Sequence, residues 1–117
     1  MTPQGNLMMY DNGLLQRDFS RIIELNPHTR EIIWTYNQTG DQEFYSSVMG
    51  SAQPLPNGNI LITESVENNA FEITRDGSRV WSYEGEGHIF RFEKFDRDCI
   101  DAVFAGTVPS NRDCTPE

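Results

Sequence analysis

The sequence has few bases and no long apolar stretch, and each shortage excludes a class of protein. Its 117 residues include 18 acidic and nine basic side chains, which give a formal net charge of −9 at pH 7. A chain with this charge repels the phosphates of DNA and RNA. The longest aliphatic run is Ile60-Leu61-Ile62, whereas a membrane-spanning helix needs about 20 apolar residues. We therefore expect no nucleic-acid partner and no membrane span.

The sequence also contains few cysteines. Cys99 and Cys114 are too far apart for a Cys-x-x-Cys redox or zinc pair, and no cluster of histidines lies near them. One interpretation is a disulfide bond that closes the carboxyl-terminal tail. In the chain-entropy model a loop of about 15 residues gains about 3 kcal/mol from such a bond. Two unpaired thiols in a reducing compartment are the other interpretation, and the sequence leaves both open.

Aromatic residues, in contrast, are plentiful. Only 37% of the residues are hydrophobic, but seven Phe, four Tyr and two Trp give the chain an aromatic content that disordered chains lack. The length provides room for one domain and not for two. We therefore expect the chain to fold as a single domain.

Two stretches of the sequence repeat one another in order and in residue type. The offset falls from 53 residues at the first matching motif to 47 at the last, because the first copy contains a longer loop. A period of about 50 residues is typical of large propeller blades. The matching motifs are Pro3-Gln4-Gly5-Asn6 with Pro56-Asn57-Gly58-Asn59, Ile23-Glu24-Leu25 with Phe71-Glu72-Ile73, and Trp34-Thr35-Tyr36 with Trp81-Ser82-Tyr83.

Each copy divides into short β-segments separated by turn residues. The segments are rich in β-branched, aliphatic and aromatic residues, and Asp11-Asn12-Gly13 and Asn26-Pro27 lie between them. Asp76-Gly77 predicts a two-residue hairpin of type I′, which needs positive φ at both central residues. The predicted strands cover residues 7–10, 21–25, 31–36, 50–55, 59–64, 70–74 and 79–83.

Alternation along the last segment predicts which side chains share a face. Val80 and Ser82 are expected on one side of the sheet, and Trp81 and Tyr83 on the other. Repeated aromatic positions on one face are suited to packing between blades, so we interpret both Trp34 and Trp81 as filling the core.

These patterns predict an all-β architecture of two propeller blades. Residues 1–38 form an incomplete, three-stranded blade and residues 50–85 a complete, four-stranded one, with 39–49 as the connecting loop. Residues 86–117 are predicted as an irregular carboxyl-terminal extension, in which only 98–104 shows helical periodicity.

The same residues resemble a known family. Phe44-Tyr45-Ser46-Ser47, and the stretch from Gly50 to Ile62 that follows it, are similar to bacterial, PAPS-independent arylsulfotransferases. The resemblance covers about residues 3 to 106 and implies a β-propeller of about six blades, of which this chain holds the carboxyl-terminal part. Further motifs that carry it are Asp11-Asn12-Gly13, Ser20-Arg21 with Ile23-Glu24, Phe71-Glu72-Ile73-Thr74 through Asp76-Gly77 to Val80-Trp81, and Ile89-Phe90-Arg91 with Glu93-Lys94-Phe95.

The resemblance implies transfer of a sulfuryl group between phenols through a transiently sulfated histidine, with His or Arg groups that neutralise the sulfuryl oxygens. In the family this histidine lies on an inner strand just before a stretch that here is Gly5 to Gly13, preceded only by residues 1–4. The matching place in the second copy, Gly50-Ser51-Ala52-Gln53, has no histidine. His28 and His88 match no catalytic position of the family. We therefore assign no catalytic, cofactor-binding or metal-binding residue.

The predicted function is that of an arylsulfotransferase-like propeller segment, which acts as a structural or protein-interaction module without catalysis by itself. One alternative is a portion of an active aryl sulfotransferase whose other blades lie elsewhere, and another is a propeller that binds glycans or peptides. Two blades alone leave an uncovered face on each side and an open sheet edge. The expected partners are therefore other blades from the same or another chain, a larger assembly, or further copies in a homo-oligomer.

Three features favour an extracytoplasmic location. They are the family resemblance, the cysteine pair, and Asn37-Gln38-Thr39, a glycosylation sequon that matters only in a secreted protein. The amino-terminal residues MTPQGNLMMYD, however, have neither the basic nor the apolar region of a signal peptide. A mature chain, a fragment and a cytoplasmic protein therefore all stay open.

Overall fold

The structure is a computed structural model and describes residues 1–38 and 44–106. In these residues seven strands form two antiparallel sheets, ordered β1-β2-β3 and β4-β5-β6-β7, and neither sheet closes on itself. The all-β prediction is confirmed, and the assignment of the sheets as propeller blades stays a prediction. Sheet 1 contains β1 (Leu7–Asp11), β2 (Arg21–Leu25) and β3 (Ile32–Tyr36), and sheet 2 contains β4 (Ser51–Pro54), β5 (Ile60–Glu64), β6 (Asn69–Ile73) and β7 (Arg79–Glu84).

The hydrophobic core lies between the two sheets. Register pairs Met8 with Glu24 and Tyr10 with Ile22, so these four side chains share the face of sheet 1 that meets sheet 2. Burial of each large apolar side chain contributes about 1.5 to 3 kcal/mol. The core side chains, all at most 5% exposed, are Ile22, Tyr36, Phe44, Ile60, Ile62, Phe71 and Ile73.

Phe44 lies at the centre of this core, although it belongs to neither sheet. Its side chain is fully buried, and its ring centroid lies 5.6 Å from that of Tyr36 in sheet 1 and 5.7 Å from that of Phe71 in sheet 2. The aromatic ring of the connecting segment therefore joins the two sheets.

The turn between β6 and β7 differs from the sequence prediction. Of the two residues Asp76 and Gly77, only Gly77 has a positive φ, at 92°. The Gly77 N–H donates to the Thr74 carbonyl oxygen over 3.0 Å, and a register shift pairs Ile73 with Arg79. Five residues therefore lie outside the ladder, and the prediction of a two-residue type I′ turn is wrong, because that turn needs two left-handed residues.

The predicted alternation along β7 is confirmed for Trp81, Ser82 and Tyr83, but it is wrong for Val80, which lies at the register shift and lines the same groove as Trp81. Trp81 pairs with Glu72 and Tyr83 pairs with Ala70, whereas Ser82 pairs with Phe71 of the core. Trp81 and Tyr83 therefore lie on the face of sheet 2 that points away from sheet 1.

The prediction of an irregular carboxyl-terminal extension is wrong for part of its length, which is helical. Arg97–Phe104 form an α-helix, α1, in the region where the sequence shows helical periodicity. Asp96 is its N-cap and accepts a hydrogen bond from the Asp98 N–H over 2.7 Å, which satisfies one of the free donors at the helix start. No helix in the described part of the chain is long and apolar enough to cross a membrane.

Two predicted modifications involve residues outside the described ranges. Cys99 lies on α1, but Cys114 is outside the described residues, so the disulfide bond stays a prediction. Asn37 is exposed directly after β3, whereas Thr39 of the same sequon is also outside the described residues. Glycosylation of Asn37 therefore stays a prediction as well.

Candidate functional site

A tight turn at the start of each copy positions an asparagine side chain. In the first copy the Gly5 N–H donates to the Thr2 carbonyl oxygen over 2.9 Å, and the Thr2 N–H donates to the Asn6 carbonyl oxygen over 2.8 Å. The turn at residues 55–59 has the same two bonds, at 3.0 and 2.8 Å. The glycine of each turn has a positive φ, at 85° and 89°, which explains why both copies have a glycine at this position.

The first asparagine binds a buried glutamate in sheet 1. Asn6 Nδ2 donates to Glu24 Oε1 over 2.9 Å, and the Arg75 guanidinium forms an ion pair with the other carboxylate oxygen. Burial by itself raises the pKa of Glu24, but the hydrogen bonds from Arg75 and Asn6 outweigh it, so the pKa lies below its ordinary value of 4.5. Because Arg75 belongs to the β6–β7 turn, this cluster connects the two sheets.

The second asparagine makes the same arrangement in sheet 2. Asn59 Nδ2 donates to Glu72 Oε1 over 2.7 Å, and Lys94 Nζ lies 3.3 Å from the other carboxylate oxygen. Here too burial raises the pKa of Glu72, and the bonds from Asn59 and Lys94 lower it below its ordinary value. Lys94, from the extension, therefore occupies the position at Glu72 that Arg75 occupies at Glu24.

Both glutamate clusters lie beside a pair of stacked aromatic rings. Trp34 and Tyr36 stack with centroids 6.3 Å apart, and Trp81 and Tyr83 with centroids 6.5 Å apart. The Arg75 guanidinium covers Trp34 at 5.0 Å, and the Trp34 indole N–H donates to the Arg75 carbonyl oxygen over 3.2 Å. Trp34 is half-buried against the core, but Trp81 is 42% exposed, so the interpretation of Trp81 as a core residue is wrong.

The buried charge of Glu24 gives a prediction for stability and its pH dependence. We expect Glu24→Gln to lower the free energy of unfolding by about 1.5 to 3 kcal/mol at pH 7, because a neutral amide loses the charge-assisted bond with Arg75. Since the folded-state pKa is below the ordinary value, the carboxylate stabilises the fold above that value, and this contribution is lost as the pH falls through the folded-state pKa. Urea unfolding measured at pH 7 and at decreasing pH below 4.5 should show the difference between the two proteins shrink.

Glu31→Gln is the matched control for this measurement, because Glu31 is exposed beside the β2–β3 turn. It should change the free energy of unfolding by less than about 0.5 kcal/mol. Equal losses for the two variants, or a Glu24→Gln effect that does not depend on pH, would contradict the role given to the Glu24 carboxylate.

The face of sheet 1 that points away from sheet 2, here the distal face of sheet 1, is apolar and open. Register pairs Leu7 with Leu25 and Met9 with Ile23, on the side opposite the core. Leu7 is 37% exposed and Met9 is 40% exposed. At the matching positions of sheet 2, every side chain is at most 1% exposed, and those residues are Ile60, Ile62, Phe71 and Ile73.

The opposite face of sheet 2, here the distal face of sheet 2, is covered in part by the extension. Its exposed aromatic residues are Trp81 and Tyr83, and Phe92 lies against both, with ring centroids 5.7 and 5.4 Å away. A groove of about 380 Å³ lies beside Trp81, between sheet 2 and the extension. The groove is lined by Leu61, Glu72, Val80, Trp81, Phe92, Glu93 and Lys94.

The two histidines lie outside these surfaces. His28 is exposed in the β2–β3 turn, and His88 is exposed in the extension after β7. Among the described residues, no group of three or more His, Cys, Asp or Glu is arranged to hold a metal ion. The structure brings together instead a set that the sequence reasoning did not assign, namely Asn6, Glu24 and Arg75, with Asn59, Glu72 and Lys94.

Comparison with known families identifies the chain. A family model described as arylsulfotransferase (ASST) matches residues 2–86, which is more than half of the sequence. The chain belongs to the arylsulfotransferase family. The match confirms the resemblance for both sheets of this arylsulfotransferase-family chain, but it ends just after β7 and does not include Ile89 to Phe95. Comparisons with curated proteins and with solved structures gave no match.

Proposed function

We propose that this arylsulfotransferase-family chain is a two-blade propeller segment that acts as a structural and protein-interaction module. Its partners are further blades, from copies of the same chain or from another chain. The observation that carries the proposal is the exposure of the distal face of sheet 1, at positions whose counterparts in sheet 2 form the core.

The apolar character of that face supports docking of another sheet. Leu7 and Met9 are each more than a third exposed, and Ile32, paired with Leu25 on the same face, is 49% exposed. Contiguous apolar surface of this kind on a soluble domain usually marks an interface. A further sheet that covered this face would bury it as sheet 1 buries Ile60 and Phe71, with about 1.5 to 3 kcal/mol for each large side chain.

The edge of sheet 1 supports the same proposal. In the described residues β1 pairs with β2 alone, whereas β5, its counterpart in sheet 2, also pairs with β4 along Ser51–Pro54. Sheet 1 therefore has one strand fewer, and the free edge of β1 presents backbone groups to which a strand from a partner can add.

A charged substitution on the distal face tests the proposed assembly. We expect Met9→Asp to weaken self-association of the full chain at least about tenfold, because burial of an unpaired carboxylate at the interface is unfavourable. Leu15→Asp is the matched control, since Leu15 is 98% exposed on the 3₁₀ turn Leu14–Gln16 and does not belong to this face. Sedimentation velocity over a range of concentrations gives both values.

A wild-type chain that does not associate would contradict the proposed self-assembly. If the wild-type chain is a dispersed 13.4 kDa species at every concentration and unfolds cooperatively, the proposed assembly with copies of the same chain is wrong. The same conclusion follows if Met9→Asp and Leu15→Asp change the association constant equally.

Family membership favours one other function, that of a portion of an active aryl sulfotransferase. In that case the nucleophilic histidine comes from another blade, because His28 and His88 are both exposed and lie in a turn and in the extension. An assay of sulfate transfer from a nitrophenyl ester to phenol distinguishes the two functions. Transfer by the chain alone, above a heat-inactivated control, would favour the enzyme over the interaction module.

A further inference from the structure

The first part of the extension crosses the distal face of sheet 2 in an extended course. The Phe92 N–H donates to Thr63 Oγ1 of β5 over 3.0 Å. Two residues earlier, the Phe90 carbonyl oxygen accepts a hydrogen bond from Ser65 Oγ over 3.2 Å. The backbone of the extension is therefore attached at alternate residues to β5 and to the turn that follows it.

Lys94 continues this attachment at β4, an edge strand of sheet 2. Its N–H donates to Gln53 Oε1 over 2.9 Å, and its carbonyl oxygen accepts from Gln53 Nε2, also over 2.9 Å. The Lys94 side chain then reaches the buried carboxylate of Glu72. Both backbone groups and the side chain of one residue are thus bound to sheet 2.

The contacts of the extension reproduce those that sheet 2 and the connecting segment make with sheet 1. Lys94 is bound to Glu72 as Arg75 is bound to Glu24. Phe92 lies 5.4 Å from Tyr83, and Phe44 lies 5.6 Å from Tyr36, the counterpart of Tyr83. A cation and an aromatic ring therefore cover the same two positions in both sheets.

We propose that residues 90–94 form an end cap on the distal face of sheet 2. The end cap occupies the surface on which a second copy would otherwise dock through the distal face of its sheet 1. The inference rests on the proposed function, since it treats the two sheets as successive units. The competing occupant is a second copy of the chain. Sheet 2 covers sheet 1 with Ile60, Ile62, Phe71 and Ile73, and the second copy has Leu7, Met9, Ile23 and Leu25 at the same register positions.

The cover that the end cap provides is incomplete, so a larger surface can displace it. Tyr83 is 45% exposed beneath the end cap, whereas Tyr36 is 5% exposed beneath sheet 2. Lys94 binds Glu72, but a groove stays open beside Trp81. In sheet 1 the Arg75 guanidinium covers the ring of Trp34, which is the counterpart of Trp81. The family match ends at residue 86, so the end cap lies outside the matched residues.

Amide hydrogen exchange on the full chain tests the end cap directly. We expect the Phe92 and Lys94 amides to be protected in the wild type, and Gln53→Ala to speed exchange of the Lys94 amide about tenfold, because it removes the acceptor. Arg91→Ala is the matched control, because the Arg91 side chain is 69% exposed and pairs with Glu93 within the same segment. This variant should leave both amides protected.

The association constant of the chain tests whether the end cap competes with a second copy. We expect Phe92→Ala to strengthen association at least about fivefold, because removal of the competing occupant raises the binding-competent fraction. Adding Met9→Asp to Phe92→Ala should remove this gain. A wild type in which the Phe92 and Lys94 amides exchange as fast as in an unfolded peptide would overturn the end cap, whatever the state of assembly.

An unchanged association constant in Phe92→Ala, with faster exchange at Lys94, would overturn the competition with a second copy. Failure of the proposed function looks different, since the amides would then be protected while Met9→Asp had no effect on association. The two proposals therefore fail by separate measurements on the same set of variants.

Discussion

Replacing Phe44 by alanine is expected to lower the free energy of unfolding by about 3 to 5 kcal/mol. The Phe44 ring is fully buried between the sheets, and its centroid lies within 5.9 Å of the rings of Tyr10, Tyr36 and Phe71. Its removal leaves a cavity in the core between the two sheets. Since small domains are stable by only about 5 to 15 kcal/mol, the variant should lose a large share of its stability.

Phe90→Ala provides the matched control for this prediction. Phe90 is 73% exposed, so its truncation should change the free energy of unfolding by less than about 0.5 kcal/mol. Urea unfolding followed by circular dichroism measures both variants. A Phe44→Ala loss as small as that of Phe90→Ala would show that Phe44 does not join the sheets.

Gly50→Ala is expected to have the next largest effect, about 3 kcal/mol. Gly50 precedes β4 with φ of 106°, where an alanine is strained, and a Cβ at this position would lie 2.7 Å from the ring of Tyr10. The substitution therefore combines backbone strain with a steric clash against the residue that packs on Phe44.

Gly58→Ala separates these two effects. Gly58 also has a positive φ, at 89°, but a Cβ there would meet nothing within 4 Å. We expect this control to cost about 1 kcal/mol from backbone strain alone. Equal losses in the two variants, measured by the same unfolding experiment, would show that the close approach of Tyr10 to Gly50 does not matter.

The strands could be predicted from the sequence because their signals are local. The predicted segment 21–25 coincides with β2, and the other six strands lie within one residue of their predicted ends. Alternating side chains and turn residues act within a few positions of one another, so they specify a strand without reference to the rest of the chain. The same motifs were sufficient to predict membership of the arylsulfotransferase family.

The Asp76-Gly77 dipeptide predicts the conformation of one residue but not the length of the turn. The sequence correctly places a glycine at a left-handed position, but the length of the turn depends on how Ile73 and Arg79 pair across the hairpin. Pairing of strands is set by which side chains reach the core, and a dipeptide carries no information about that.

The glutamate clusters could be predicted only in part. The matching positions of Glu24 and Glu72, each between two apolar residues, indicate an acid that both sheets place in the same way. The cations that bind them, Arg75 and Lys94, lie 51 and 22 residues away along the chain. No sequence pattern links such distant positions, so the pairs appear only when the sheets and the extension pack together.

By itself, therefore, the sequence determined the strands, the two copies and the family, because each depends on neighbouring residues or on a repeated pattern. Only the tertiary structure decided that Phe44 joins the sheets, that Arg75 crosses from sheet 2 to Glu24, and that the extension binds sheet 2 through Lys94. These contacts bring together residues that are distant in the chain, and they form because buried carboxylates and apolar faces need partners that their own strands do not supply.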